Sequence, residues 1–274
     1  MKKVFLLLIV FLLLTGCSKD NKKEDIFKTG YATNYVKEED YSQFKELFEN
    51  NRISNSEMFF SWVIDFNKEE DMECGIKDWN YTANFKYNEA YCTERYEKNH
   101  KISDGNCRIT AFTLMQNIIK VDKTKKDYGS YLMFDIDVLD NNENYKRVSV
   151  DRERFITVFD EMDVSKVPKK ELKEVLTNKW KEYGIKVNSE KVSLISVVAY
   201  DEDFKTLFVE HAGVLIQLDN KYLFIEKIAF EQPYQFSVIQ NVDELKEMFS
   251  KRENYFGGGI GPFVYQNDKL IFEY

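Results

Sequence analysis

Proline and glycine are scarce, with three and eleven in 274 residues. So little turn and linker material excludes a low-complexity chain and a long flexible hinge. No segment recurs at a period of about 20 to 50 residues, which excludes a solenoid or propeller. Histidine is scarcer still: only His100 and His211 are present, and neither CxxC nor HxxxH occurs, so no metal site and no cofactor is expected. There is no Walker loop and no GxGxxG. "FGGGIGP" (256–262) lies between a helix end and a strand and does not open a helix, so it reads as a turn. Lys and Arg total 39 against 47 Asp and Glu, for a net charge of −8. With no basic stripe interleaved with aromatics, a nucleic-acid partner is excluded. The runs "KKED", "KEED", "NKEED" and "PKKELKE" read as solvated helix faces and loops.

What is present begins at the N-terminus. Lys2 and Lys3 precede an apolar run, Val4 to Leu14, that is too short for a spanning helix of about 20 residues. "LTGC" follows. This pattern predicts a secretory signal over 1–16 ending in a lipobox, with Thr15 and Gly16 in the peptidase subsite and Cys17 carrying the lipid, palmitate included. The segment 17–38, with the charged "SKDNKKED", is then a solvated tether, and 39–274 a single domain. Loss of both lysines takes the net charge from −8 to −10. The expected location is the outer face of the cytoplasmic membrane, held by the N-terminal lipid. A content of 43% hydrophobic and 15% aromatic residues fills one core.

Export removes the reducing environment, which makes the cysteines informative. With Cys17 used by lipid, Cys74, Cys92 and Cys107 remain. Cys74 and Cys92 flank "CGIKDWNYTANFKYNEAYC" and could close as a local disulfide loop. Cys107 would then be the unpaired thiol, read either as a buried packing residue or as a functional one.

From about residue 40 to 183, apolar residues recur at helical spacing in "YSQFKELFENN", "SNSEMFFSWVIDFNKEE", "CRITAFTLMQNIIK", "RERFITVFDEM" and "KKELKEVLTNKWKEYG", interrupted by one strand-like run, "SYLMFDIDVL". From about 190 the period changes to two. "KVSLISVVAY", "KTLFVEHAGVLIQL" and "KYLFIEKIAF", separated by "DED" and "DN" turns, predict an antiparallel meander. A helix, "NVDELKEMFSKREN", and two short strands, "GPFVYQ" and "KLIFEY", complete the chain. Helices followed by antiparallel strands make the fold α+β.

In "DGNCRITAF" (104–112), Asn106 is the expected N-cap of a helix beginning at Cys107. The first turn of a helix favours a thiolate, and Arg108 adds positive charge. A nucleophilic thiol needs a base. His100 lies in a polar loop, whereas His211 lies in an apolar strand where its ring must find a polar partner. If Leu218 pairs with Lys221 across "DN", His211 faces Ile228 and Gly213 faces Glu226. His211, Gly213 and Glu226 then share one sheet face, with Gly213 leaving room between the two polar side chains. The predicted constellation is Cys107 as nucleophile, His211 as base and Glu226 as the orienting carboxylate. Glu210 and Glu231 are the alternatives for the third role. The Cys107 amide is the natural oxyanion donor, with Trp79, Asn80 or Tyr91 as a second.

"NCRITAF" (106–112), "LFVEHAGVL" (207–215) and "YLFIEKIAFEQPYQ" (222–235) resemble the signature segments of Gram-positive lipoproteins grouped only as a domain of unknown function. More distantly, a Cys at a helix start, a strand reading His-small-Gly-apolar and a polar residue on the next strand are similar to papain-like cell-wall cysteine peptidases of the NlpC type. That resemblance implies a papain-like architecture with Cys107, His211 and Glu226 in the three roles. The departures are Asn106 and Arg108 around the Cys, where those enzymes have an acidic residue and Ser-Gly, and a Glu where they have His, Asn or Gln. The expected function is an amidase or peptidase acting on peptidoglycan or another envelope peptide. The alternative is a non-catalytic surface lipoprotein that binds a peptide or cell-wall ligand.

Overall fold

The computed structural model describes residues 27, 31–34, 36, 40–69, 75, 88–100, 103–252 and 260–274. The signal segment, Cys17, most of the tether, Cys74, Trp79, Asn80 and most of the glycine-rich turn lie outside the described residues. The fold is α+β. Strand β1 (Tyr31–Thr33) precedes helices α1 (Tyr41–Asn50), α2 (Ser56–Glu69), α3 (Glu89–Asn99) and α4 (Cys107–Met115). Short strand β2 (Ile119–Lys120) is followed by α5 (Met133–Asn141), α6 (Lys146–Ser149), α7 (Arg152–Phe159), β3 (Met162–Asp163), α8 (Val175–Tyr183) and β4 (Lys186–Val187). The long strands come next: β5 (Val192–Asp201), β6 (Thr206–Gln217), β7 (Tyr222–Lys227) and β8 (Tyr234–Ile239). Helix α9 (Asp243–Ser250), β9 (Phe263–Gln266) and β10 (Lys269–Glu273) close the chain.

The main sheet runs β1-β8-β7-β6-β5-β9-β10, with β3 added to β6, and every pairing in it is antiparallel. Alternation along the strands divides the apolar residues between two faces. Leu194, Val214, Leu223 and Phe236 pack against the helices that precede the sheet. Ile195, Leu215, Phe224 and Val264 pack instead against Leu245 and Phe249 of α9. The sheet is thus buried on both sides, with the larger core on the side of α1, α2 and α4.

Three expectations change. "SYLMFDIDVL" is not a strand: Ser130–Leu132 forms a 3-10 turn leading into α5, whose buried Asp135, Val138 and Leu139 fall at the i, i+3 and i+4 spacing of one helix face. The run is apolar enough for either structure, and the "NNEN" after it breaks no strand pattern. The tether assignment ran too far, because β1 lies within 17–38 and pairs with β8. Three residues carry too little periodicity to be read as a strand. β8, "YQFSVI", was not among the expected strands: it is short and directly follows "EQP", and its alternating Gln235 and Ser237 are buried like the rest.

The β6–β7 register is the predicted one, with Gly213 opposite Glu226 and Gln217 opposite Tyr222. The ladder stops there, so the expected pairing of His211 with Ile228 does not form; Ile228 N–H donates to Pro233 O instead. Gly213 also has a different use from the one expected. A Cβ on it would lie 2.4 Å from the Phe224 ring and 2.9 Å from the Ile225 carbonyl, so the space is filled by an aromatic ring. Gly213→Ala is therefore expected to lower the unfolding free energy by about 1–3 kcal/mol through overpacking. Urea denaturation reads this directly, and an unchanged midpoint would show that Phe224 yields without cost.

Candidate active site

Strand β6 is paired along one side by β5. On its other side β7 reaches only to Gly213 and β3 only to Leu207. Between them, residues 208–212 form a gap in the ladder where backbone groups need other partners. The first turn of α4 fills it. Arg108 Nη1 donates to Val209 O at 2.6 Å, and Cys107 Sγ lies 3.9 Å from Glu210 O. The Ala212 amide donates to the same sulfur. The pairs Val197–His211 and Val198–Val209 leave Glu210 as the extra residue of a β-bulge. The bulge puts His211 on the opposite face from Val209, where unbroken alternation would have kept the two together.

The helix start is fixed from two directions. Asn106 Oδ1 accepts from the amides of Arg108 (3.0 Å) and Ile109 (3.2 Å), which is the predicted cap. Its Nδ2 donates to Asp135 Oδ1 at 2.9 Å, and the same buried carboxylate takes Arg108 through Nε at 3.0 Å and Nη2 at 2.5 Å. Before Asn106, Asp104 accepts from the Tyr145 hydroxyl and from Gly105 N–H, and faces the buried Lys227 ammonium at 3.4 Å. Lys227 is itself covered by the rings of Phe66 and Tyr234, 3.8 and 4.2 Å to their centroids. Gly105 is required, since a Cβ there would lie 2.7 Å from Tyr145.

The three predicted site residues converge. His211 hydrogen-bonds the Cys107 side chain, and its Nε2 lies 2.6 Å from Glu226 Oε2, so Nδ1 is the ring nitrogen left for the thiol. All three are buried, at 6%, 2% and 0% exposure for Cys107, His211 and Glu226. Behind Glu226 stands a residue that sequence reasoning missed. Arg252, just past the end of α9, forks onto both carboxylate oxygens at 2.7 and 2.6 Å, and Gln235 Nε2 adds a bond at 3.1 Å. A basic residue at a helix C-terminus ordinarily complements the dipole, so nothing in "FSKREN" marked it. Gln235 was legible in principle, because it sits directly opposite Glu226 on β8.

The charges reinforce one another. Burial pushes the Cys107 thiol up, but the charge and hydrogen bond of His211, the Arg108 charge and the Ala212 amide outweigh it and hold the thiol below its ordinary value of 9.0. Burial pulls His211 down, yet Cys107 and Glu226 raise it from 6.5 to about 9. Burial raises Glu226, and Arg252 with His211 overrides it, leaving the carboxyl at about 2. Both shifts favour the thiolate–imidazolium form of the pair over the neutral one. Among the described residues, no group of three His, Cys, Asp or Glu side chains is placed to hold a metal.

The other candidates are elsewhere or have other roles. His100 stacks on Tyr96 at 4.1 Å, at the end of α3. Tyr91 is in the first turn of α3, and its amide donates to Asn88. Cys92 is buried in α3. Glu231 lies in the β7–β8 turn and makes no bond to His211. Among the described residues no helix is long and apolar enough to cross a membrane.

The chain belongs to the family described as a domain of unknown function, DUF4300, whose model matches residues 31–271. No curated protein and no solved structure matches it.

Removing the Glu226 charge is expected to lower the His211 pKa from about 9, which NMR titration of the ring nitrogens can follow readily with only two histidines present. Because the folded Glu226 value of about 2 lies below the ordinary 4.5, its stabilisation is present above about pH 4.5 and lost as pH falls through about 2. Wild type should therefore lose stability more steeply than Glu226→Gln between pH 5 and 2 in chemical denaturation. Parallel curves would mean that Glu226 has the same pKa folded and unfolded, so that Arg252 and His211 do not hold it down.

Proposed function

We propose that this protein is an exported, lipid-anchored cysteine hydrolase that cleaves an amide bond in peptidoglycan stem peptides or another envelope peptide. The observation that carries the reading is the continuous buried chain Cys107–His211–Glu226–Arg252. A buried thiol serving only as packing needs neither an imidazole nor a pinned carboxylate behind it. The helix-start cysteine and the histidine on the neighbouring strand support a papain-like arrangement of these groups. The signal run, the lipobox ending in Cys17 and the charged segment after it support export and attachment to the outer face of the membrane.

The residues define a reaction sequence. The Cys107 thiolate attacks the carbonyl carbon, and charge moves onto the carbonyl oxygen. The Cys107 amide is not among those bonded by Asn106 and is the natural donor to that oxyanion. His211 Nδ1 gives its proton to the departing amine as the C–N bond breaks and leaves a thioester. The now neutral imidazole takes a proton from water, the hydroxide attacks the thioester, and carboxylic acid and thiolate are released. Glu226 keeps the ring oriented and stabilises its charged form, while Arg252 keeps Glu226 ionised and in place.

Thiol reactivity tests the pair before any substrate is known. At near-neutral pH, iodoacetamide should label Cys107 faster than in the denatured protein, and His211→Ala should move the pH dependence of labelling upward, since burial alone raises the thiol. Labelling no faster than the denatured control, and unaffected by His211→Ala, would end the catalytic reading. Purified protein should then release peptide fragments from sacculi, with Cys107→Ser inactive. Fast labelling without cleavage of sacculi or peptide libraries would favour a binding lipoprotein. In cells, Cys17→Ser should abolish incorporation of an alkyne-tagged palmitate, and retention of the tag would place the lipid elsewhere.

A further inference from the structure

The bulge on β6 does more than set the face of His211. Glu210, the extra residue, has no partner on β5, and its carbonyl is the backbone group beside the Cys107 sulfur. Its carboxylate is partly exposed. Around it, the other charges are already matched. Arg108 is forked onto Asp135, Arg252 onto Glu226, and Lys227 faces Asp104. Nearby Tyr131 gives its hydroxyl to Asp201 at 2.5 Å and its amide to Glu161 at 3.0 Å. Glu210 is left over: among the described residues its side chain makes no hydrogen bond or ion pair, and it acts on Arg108, His211 and Tyr131 only through space. Because thiolate and imidazolium cancel, an ionised Glu210 adds negative charge beside the reacting groups.

A carboxylate that is largely desolvated without a partner is costly, and burial indeed pushes Glu210 above its ordinary value. The neighbouring wall is aromatic, with the Tyr131 ring stacked on Phe208 at 4.0 Å and 14°. A carboxylate beside stacked aromatic faces suits a cation and disfavours an anion or an unprotonated polar group.

We propose that Glu210 is a specificity-determining residue that receives a cationic nitrogen of the substrate, a protonated amine or guanidinium close to the scissile carbonyl, against the Tyr131–Phe208 wall. This rests on the reading of Cys107 as the nucleophile, and it narrows the substrate to amides bearing such a group near the cleaved bond. The bulge explains the position: it places a carboxylate and the base on consecutive residues while leaving the carboxylate unpaired.

Methanethiosulfonates of the three charge types test it without a known substrate. In each, the thiolate attacks the sulfenyl sulfur, a mixed disulfide forms and methanesulfinate leaves; the aminoethyl and sulfonatoethyl groups share a two-carbon stem and carry opposite charges, and the smaller methyl group carries none. Rates at Cys107 in the intact protein, followed by mass spectrometry of its peptide at low ionic strength, should favour the aminoethyl reagent over the neutral methyl reagent by about tenfold, with the sulfonatoethyl reagent slowest. Glu210→Gln should reduce the preference to about twofold or less. Glu57→Gln makes the same change in net charge on the exposed face of α2 and should keep it. Equal rates with all three reagents in wild type, or a preference that survives Glu210→Gln, would overturn the subsite and leave the nucleophile standing. Rates no faster than in denatured protein with every reagent would overturn the nucleophile reading itself, and this inference with it.

Discussion

The gap in the β6 ladder between Leu207 and Gly213 is the constraint from which the site follows. An unpaired stretch of strand interior cannot be left without hydrogen-bond partners, because each buried peptide group without one costs about 1–3 kcal/mol. Here a helix N-terminus supplies them: the guanidinium of Arg108 takes the Val209 carbonyl, and the Cys107 sulfur lies between the Glu210 carbonyl and the Ala212 amide. The same docking sets the Cys107 thiol beside His211. Asp135 secures it by holding both Asn106 and Arg108, so one buried carboxylate ties α4, α5 and β6 together. Removing one partner of such a buried pair typically costs about 3–5 kcal/mol, since the other charge is left behind.

β7 ends in two consecutive buried charges that serve opposite faces of the sheet. Glu226 points to the α9 face and holds His211; Lys227 points to the helical face and holds Asp104, ahead of the Asn106 cap. Both are fully buried, and both are neutralised by partners from distant parts of the chain. The end of this one strand therefore positions His211 from one side and the start of the Cys107 helix from the other. A shift of register by one residue would exchange the two faces and break both arrangements. The invariant part of the geometry is thus the Gly213–Glu226 pairing, which the two-residue "DN" turn sets.

Much of this was legible in the sequence, for identifiable reasons. The change of period near residue 190 gave the antiparallel strands, and the "DN" turn gave the register. Asn106 before an apolar helical run gave the cap, and of only two histidines His211 alone lies in an apolar strand. What escaped depended on tertiary packing. Arg252 reaches Glu226 only because α9 folds back over the sheet, and "KREN" reads as an ordinary solvated helix end. Nothing in the sequence marks Lys227, beside Glu226, as buried, yet it is covered by Phe66 and Tyr234. The bulge at Glu210 is also silent in the sequence, because Val209 and Ala212 sharing a face is visible only once β5 is in place. α5 escaped because the alternating "FDIDVL" at its core fits a strand period as well as a helical one, and β8 because it is only six residues long.

The carboxylate in the third position has a consequence for the proposed chemistry. An amide side chain there would orient the imidazole without changing its charge, whereas Cys107 and an ionised Glu226 together stabilise the imidazolium and hold His211 at about 9. Left alone in the core, such a carboxylate would itself take up a proton and lose that effect. Arg252 prevents this by forking onto both oxygens, which is why the group stays at about 2 despite burial. The chain of alternating charge, guanidinium, carboxylate, imidazolium and thiolate, is therefore self-consistent only with all four members present. It stores the proton on the ring at neutral pH, where a leaving amine can collect it.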